Sequence, residues 1–163
     1  MARPSRNARH DSARNPIRTF FVSSRTSRGA AILQTARMAN LFIEVLRSYM
    51  REKKFKVHDF VVMPNHVHVL LSLPPELSIE KAVQMMKGNF SYRAKKDLGY
   101  PGEIWQKGFS EVQVLTEDSF IQHQEYIDEN PVKKGLARSA DEYPYCSTYL
   151  KKQKKAAAAK AGS

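Results

Sequence analysis

Two histidines separated by one residue, His66 and His68, are the side chains of this sequence best placed to do chemistry. They lie in an apolar, β-branched run over residues 63–71, which predicts a buried strand. Because a strand sends residues i and i+2 to the same face, both imidazoles point the same way. Neutral imidazole is a common ligand of divalent metals. The pair therefore predicts half of a metal site, and the alternative is two histidines that only pack across strands.

A second candidate group lies about sixty residues downstream, near the end of a predicted helix. Thr116 is the expected N-cap, and the helix is expected to end near Pro131. Tyr126 and Asn130 are four residues apart, so they share one helical face. If this helix crosses the sheet face that carries the histidines, Asn130 completes a His-His-Asn metal shell with Tyr126 beside it as a nucleophile.

Positive charge is concentrated at the two ends of the chain. The net charge is +11: residues 1–28 contribute +6, from seven Arg and one Asp, and residues 150–163 contribute +5 from five Lys. Such ends predict a polyanionic partner, because Lys and Arg bind phosphates without regard to sequence; the alternative is that they only aid solubility. We expect a disordered basic arm over 1–15, one domain over 16–149 and a flexible basic tail over 150–163.

Composition also restricts the compartment and the class of protein. Cys146 is the only cysteine, so an intramolecular disulfide and a zinc-finger cluster are excluded. No apolar run approaches the ~18 residues of a membrane span, and the Arg-rich start lacks the apolar core of a signal peptide. These features predict a cytoplasmic protein, in the cytoplasm or nucleoid of a bacterium, with no membrane partner.

The hydrophobic pattern predicts strands and helices in alternation. Strands are expected over 17–24, 55–63, 66–73 and 109–115, and helices over 35–53, 78–97 and 116–131. The turn signal Pro64-Asn65 joins the second and third strands into a hairpin. This order suits an α+β ferredoxin-like sandwich, in which helices cover an antiparallel sheet of four to five strands and the last helix carries the catalytic groups.

Four segments together resemble a known family. They are MPNHVHVLL from residue 63, IWQKGF from residue 104, YIDENPVKKGL from residue 126 and YPYCS from residue 143. In this order they resemble the REP-associated tyrosine transposases, which are single-tyrosine HUH transposases. The resemblance implies a ferredoxin-like domain that nicks and rejoins single-stranded DNA beside an imperfect palindromic hairpin.

The resemblance also implies the roles of individual residues. By motif match His66 and His68 are metal ligands, Asn130 is the third ligand and Tyr126 is the nucleophile that forms a 5′-phosphotyrosine. The third ligand is a helix Gln in some relatives. Two imidazoles favour Mn²⁺, whereas Mg²⁺ serves by abundance.

Several basic or aromatic residues are candidate DNA contacts. A charged helix face is either solvated or tracks a DNA backbone, and the single tryptophan either stacks on an unpaired base or packs in the core. The candidates are Arg18, Arg25, Arg28, Lys87, Arg93, Trp105 and Lys107.

Two other functions compete with DNA transposition. A non-catalytic, domesticated hairpin-binding protein would keep the DNA contacts without forming a covalent adduct. A zinc hydrolase built on His66 and His68 would need a third strong ligand, and Asn is a poor zinc donor. The sequence allows either a monomer or a homodimer that exchanges helices.

Overall fold

A four-stranded sheet lies at the centre of the computed structural model, which describes residues 17–162. The predicted arm over residues 1–15 lies outside the described residues. The strands are β1 (Arg18–Arg25), β2 (Lys56–Met63), β3 (His66–Leu73) and β4 (Ser110–Val114). The helices are α1 (Ala36–Arg51), α2 (Ile79–Leu98), α3 (Glu117–Lys133) and α4 (Ser147–Ala161).

The strand order is β2-β3-β1-β4, and every neighbouring pair is antiparallel. This is the split-βαβ arrangement, so the predicted α+β ferredoxin-like sandwich is confirmed. The central strand β3 pairs His66 with Met63 of β2 on one side and with Arg25 of β1 on the other. The ends of three strands therefore meet at the first predicted metal ligand.

The two faces of the sheet have separate cores, because successive strand residues point in opposite directions. Helices α1 and α2 cover one face, where the rings of Phe42, Phe90 and Trp105 lie 5.6–5.9 Å apart. A smaller cluster on the other face includes Phe21 of β1 and Ile127 of α3. Helix α3 therefore packs on the sheet face that also carries His66 and His68.

Side-chain caps fix where the helices begin. Thr35, Ser78 and Thr116 each accept a hydrogen bond from the backbone N–H three residues later. Helix α3 ends at Lys133, two residues beyond the predicted end at Pro131. None of the described helices is both long and apolar enough to cross a lipid bilayer.

The C-terminal segment differs from its prediction, because the expected flexible tail is helix α4. Its Ala and Lys residues are strong helix formers, and its first turn is fixed to the rest of the fold. Ser147 Oγ accepts a hydrogen bond from Phe60 N at 3.0 Å, and Thr148 Oγ1 donates to Asp128 of α3 at 2.6 Å. From residue 151 onward the helix is exposed.

One buried carboxylate, Asp59 of β2, joins three elements. It is 5% exposed, and its Oδ2 accepts from Gln124 of α3 at 2.6 Å. Its Oδ1 accepts from Ser147 of α4 at 2.6 Å and from Lys151 Nζ at 3.1 Å. Asp59 is therefore a structural acceptor that holds α3 and α4 on the edge of the sheet, not a ligand in the histidine cleft.

We predict that Asp59→Ala lowers the free energy of unfolding by roughly 2–4 kcal/mol, because it leaves the Gln124 and Ser147 donors without their acceptor. Urea denaturation measures this change. The control is Glu111→Ala on exposed β4, which should stay within about 0.5 kcal/mol of the wild type. Equal stability of the two variants would contradict the structural role of Asp59.

Candidate active site

The two histidines lie in a cleft where β1, β2 and β3 end. His66 and His68 have ring centroids 4.8 Å apart, and the cleft has a volume of about 350 Å³. Tyr126 and Asn130 line the same cleft from α3. The structure therefore brings together the four residues that the sequence singled out.

Hydrogen bonds to the turn before β3 and to β1 orient the two imidazoles. His66 Nδ1 is 2.8 Å from the side-chain oxygen of Asn65, and an amide oxygen only accepts, so Nδ1 carries the proton. Its Nε2 is therefore the nitrogen that keeps a lone pair. His68 Nδ1 is 2.6 Å from the Ser23 hydroxyl on β1. Each ring thus uses Nδ1 for support and leaves Nε2 for a ligand, as metal-binding histidines commonly do.

Both imidazoles are neutral at physiological pH. Burial lowers the pKa of His68 to about 3, with smaller contributions from His66 and Arg25. Burial also lowers the pKa of His66, and the charges of Arg25 and Lys134 add to the effect. Since only neutral imidazole binds a metal, the site does not have to release protons first.

Asn130 presents an unpaired oxygen to this cleft. The residue is 8% exposed, and its buried Oδ1 has no hydrogen-bond partner among the described residues. Asn130 lies close enough to His66 to oppose the lowering of the His66 pKa, although their geometry falls short of a hydrogen bond. Buried polar atoms are rarely left unpaired, so this oxygen needs a partner.

The donor set fits a divalent cation. Two neutral imidazoles and one amide oxygen would hold an ion without reducing its charge. The described residues contain no cluster of three His, Cys, Asp or Glu side chains that would make a stronger site. An ion held this way would keep coordination positions for substrate oxygens.

Tyr126 stands at the mouth of the cleft. Its side chain is 48% exposed, and its ring lies edge-on to His68 at 5.2 Å and to Phe21 at 5.8 Å between centroids. Phe21 also stacks on His68 at 5.3 Å and packs against His123 at 4.5 Å. This aromatic cluster positions the tyrosine ring beside a candidate ligand while leaving it open to substrate.

Two cations also line the cleft. Arg25 comes from the end of β1, and Lys134 follows α3 directly. No carboxylate is among the described residues that line the cleft, so its electrostatics favour a phosphate. The sequence predicted Arg25 but missed Lys134. The available signal was its position four residues after Asn130, on the same side of the helix.

The side chains of three predicted DNA contacts make hydrogen bonds within the protein. Arg18 donates to the Pro74 carbonyl at 2.9 Å at the far end of β1. Lys87 donates to the Gly108 carbonyl at 2.8 Å, and Trp105, only 9% exposed, donates from Nε1 to the Lys87 carbonyl at 3.2 Å. Trp105 is therefore a core residue in this structure, and its stacking on an exposed base is not supported.

The remaining basic candidates stay predictions. Arg28 is exposed in the short turn after β1, and Lys107 is exposed after Trp105. Arg93 lies 3.7 Å from Asp97 on α2. None of these three residues lines the histidine cleft.

The chain is similar to known transposases over the residues that form this fold. The IS200-like transposase family matches residues 20–130. The REP-associated tyrosine transposase of Escherichia coli is 24% identical over 127 residues, which cover 77% of this chain and 73% of that protein. The ISDra2 transposase TnpA of Deinococcus radiodurans is 29% identical over 91 residues, covering 52% of this chain and 64% of that one.

A solved structure has a similar fold. It is a REP-associated tyrosine transposase bound to a REP hairpin, and it superposes with a TM-score of 0.68 at 22% identity. The match covers 82% of this chain and 78% of that chain.

The buried histidines predict a specific pH dependence of stability. Because the folded pKa of His68 is far below 6.5, the unfolded chain binds more protons between about pH 6.5 and 3. Stability should therefore fall as the pH is lowered through that window, by up to about 1.4 kcal/mol per pH unit from this residue. In chelator, unfolding free energies at several pH values should fall less steeply for His68→Gln than for the wild type. Parallel curves would contradict this assignment.

Proposed function

The chain belongs to the IS200-like transposase family, and we propose that it cleaves and rejoins single-stranded DNA beside a hairpin, with Tyr126 as the nucleophile. The observation that carries this proposal is the position of Tyr126 next to two neutral imidazoles and an unpaired amide oxygen. An exposed phenol beside such a donor set suits phosphoryl transfer better than hydrolysis by zinc, which needs a stronger third ligand.

Activation of the phenol is the chemical problem that the site must solve. A tyrosine hydroxyl has a pKa near ~10, so it is a weak nucleophile at neutral pH. A divalent ion held by His66, His68 and Asn130 would polarise the non-bridging oxygens of a phosphodiester. Membership in the family implies a divalent-metal requirement, and we propose Mn²⁺ or Mg²⁺ as the ion.

The step itself is a balanced transfer. Tyr126 Oη attacks the phosphorus and loses its proton, the bond from phosphorus to the 3′ oxygen breaks, and that oxygen leaves as a 3′-hydroxyl. The product is a 5′-phosphotyrosine, which retains the energy of the diester. Attack by another 3′-hydroxyl then releases Tyr126 and joins the strands without ATP.

The cations of the cleft hold the DNA in position. Arg25 and Lys134 line it on the sheet side and on the helix side. We propose that they bind the phosphates that flank the reacting one, because such contacts fix register without reading bases.

Hairpin DNA is the proposed partner. A solved structural neighbour is bound to a REP hairpin, which supports the same class of substrate here. Whether the protein acts as a monomer or as a homodimer that exchanges helices remains a prediction from the sequence. Cytoplasmic localisation remains a prediction from the sequence.

The direct test of this proposal is the covalent adduct. With a labelled hairpin that carries a single-stranded flank and Mn²⁺, the wild type should give a protein–DNA band that survives denaturation. Tyr126→Phe should abolish this band and keep hairpin affinity within about twofold, because only the hydroxyl is removed. Tyr92→Phe, an exposed tyrosine on α2, is the matched control. An undiminished band in Tyr126→Phe would refute the assignment, and hairpin binding without any wild-type band would favour the non-catalytic alternative.

A second test addresses the donor set. His66→Ala and His68→Ala should each reduce adduct formation at least ~100-fold, because transition-state charge is no longer stabilised. Chelation of the wild type should have the same effect. Mn²⁺ binding measured by calorimetry should weaken in both variants and also in Asn130→Ala. Full adduct yield in excess chelator would exclude this mechanism.

A further inference from the structure

A second basic surface lies at the opposite end of the sheet from the histidine cleft. Between α1 and α4 is a groove of about 450 Å³ with an apolar floor. Three cations border it: Arg47 of α1, and Lys151 and Lys154 of α4. The alkyl stems of such side chains cover an apolar floor while their charged ends remain in water, so the groove needs no apolar partner.

This groove continues into a second one along the start of β2. The two share Met50 and His58, and the second adds Lys53, Lys54 and Lys56. We call the six cations the basic strip: Arg47, Lys53, Lys54, Lys56, Lys151 and Lys154. No carboxylate lines either groove among the described residues.

The acidic residues near the basic strip do not neutralise it. Asp59 is buried and compensates only Lys151, and Glu44 forms an ion pair with Arg51 at 2.8 Å. Glu52 is the remaining exposed acid in the turn after α1. Lys54, Lys56 and Lys154 make no ion pair or side-chain hydrogen bond to the described residues. The strip therefore presents a net positive charge to solvent.

Lys56, at the far end of the strip, and the cleft lie at opposite ends of β2. Lys56 pairs with Ser72 at one end of the central hairpin, and Met63 pairs with His66 at the other. Seven residue steps along a strand span about 23 Å. Base pairs in duplex DNA rise about 3.4 Å each, so about seven base pairs span the length of β2 between Met63 and Lys56.

We propose that the basic strip binds the phosphate backbone of the hairpin stem whose single-stranded flank enters the histidine cleft. This inference rests on the proposed function and adds to it a separate site for the duplex. Lysine is a point charge on a flexible stem, suited to phosphates and not to base edges. The ring of Phe60 in the groove is buried, whereas surfaces for single strands offer exposed aromatic rings for stacking.

The experiment compares two hairpins that share one flank and one loop but have stems of four and ten base pairs. Only the longer stem is long enough to span the length of β2 and reach Lys54 and Lys56 at the far end of the strip. For the wild type, the slope of log affinity against log salt should be steeper with the longer stem. In the triple variant Lys54→Gln, Lys56→Gln and Lys154→Gln this difference should shrink, by about 0.9 per lost phosphate contact. Affinity for the four-base-pair hairpin should remain unchanged.

The matched control removes three exposed lysines from α2, as Lys81→Gln, Lys95→Gln and Lys96→Gln. It should retain the wild-type dependence on stem length, and thermal melting should show that both triple variants are folded. Wild-type salt slopes that are equal for the two stems would overturn the proposal. It would also be overturned if the strip variant lost affinity equally on both stems, or if the control variant lost as much affinity as the strip variant. If the wild-type protein bound anionic vesicles in preference to the long-stem hairpin, the proposal would also be overturned, and the partner of the strip would be a membrane surface.

The same samples separate this inference from the proposed function. Both triple variants should form the Tyr126 adduct with the four-base-pair hairpin at the wild-type rate, since neither changes the cleft. An adduct without dependence on stem length would leave the proposed function standing and refute the strip. A salt slope that depends on stem length, without any adduct, would support the strip and refute the proposed function.

Discussion

The pairing of β3 between β1 and β2 is the constraint on which the site depends. An antiparallel register fixes every side chain to one face, and a slip of one residue would turn both histidines into the core beneath α1 and α2. Arg25, His66 and Met63 lie side by side in adjacent strands because of this register. The same register places Ser23 opposite His68, where its hydroxyl holds the ring. The positions of the proposed metal ligands, of the hydroxyl that supports His68 and of the proposed phosphate-binding Arg25 therefore follow from one pattern of backbone hydrogen bonds.

Burial gives this site its electrostatic character. Since desolvation keeps both imidazoles neutral, Arg25 and Lys134 carry the only formal charges among the described residues that line the cleft. A carboxylate ligand would bind a metal more tightly, but it would also repel the phosphate of a nucleic acid. A neutral donor set would bind an ion less tightly, and it would leave the positive charge of that ion available to an anionic substrate.

Local patterns were sufficient to predict much of this structure from sequence. Strand alternation predicted that His66 and His68 share a face, and the caps Ser78 and Thr116 marked where two helices begin, because both signals act within a few residues. Trp105 was ambiguous because its burial depends on Phe42 and Phe90, which are distant in sequence. The C-terminal helix was missed for a similar reason: its Ala and Lys residues favour a helix locally, but its start is fixed by contacts of Ser147 and Thr148 with residues distant in sequence.

The contacts of α4 have a consequence for the order in which the protein is made. Ribosomal synthesis releases β1 to α3 before the segment that supplies Ser147 and Thr148, so the nascent chain holds Tyr126 on a helix whose outer side is not yet fixed. Domains fold as units, with N-terminal parts emerging first. Tyr126, the proposed nucleophile, therefore lies on a helix that gains its contact with Thr148 only after residues 147–161 have been made. A chain truncated before Ser147 would carry every candidate catalytic residue and lack the helix that contacts both β2 and α3.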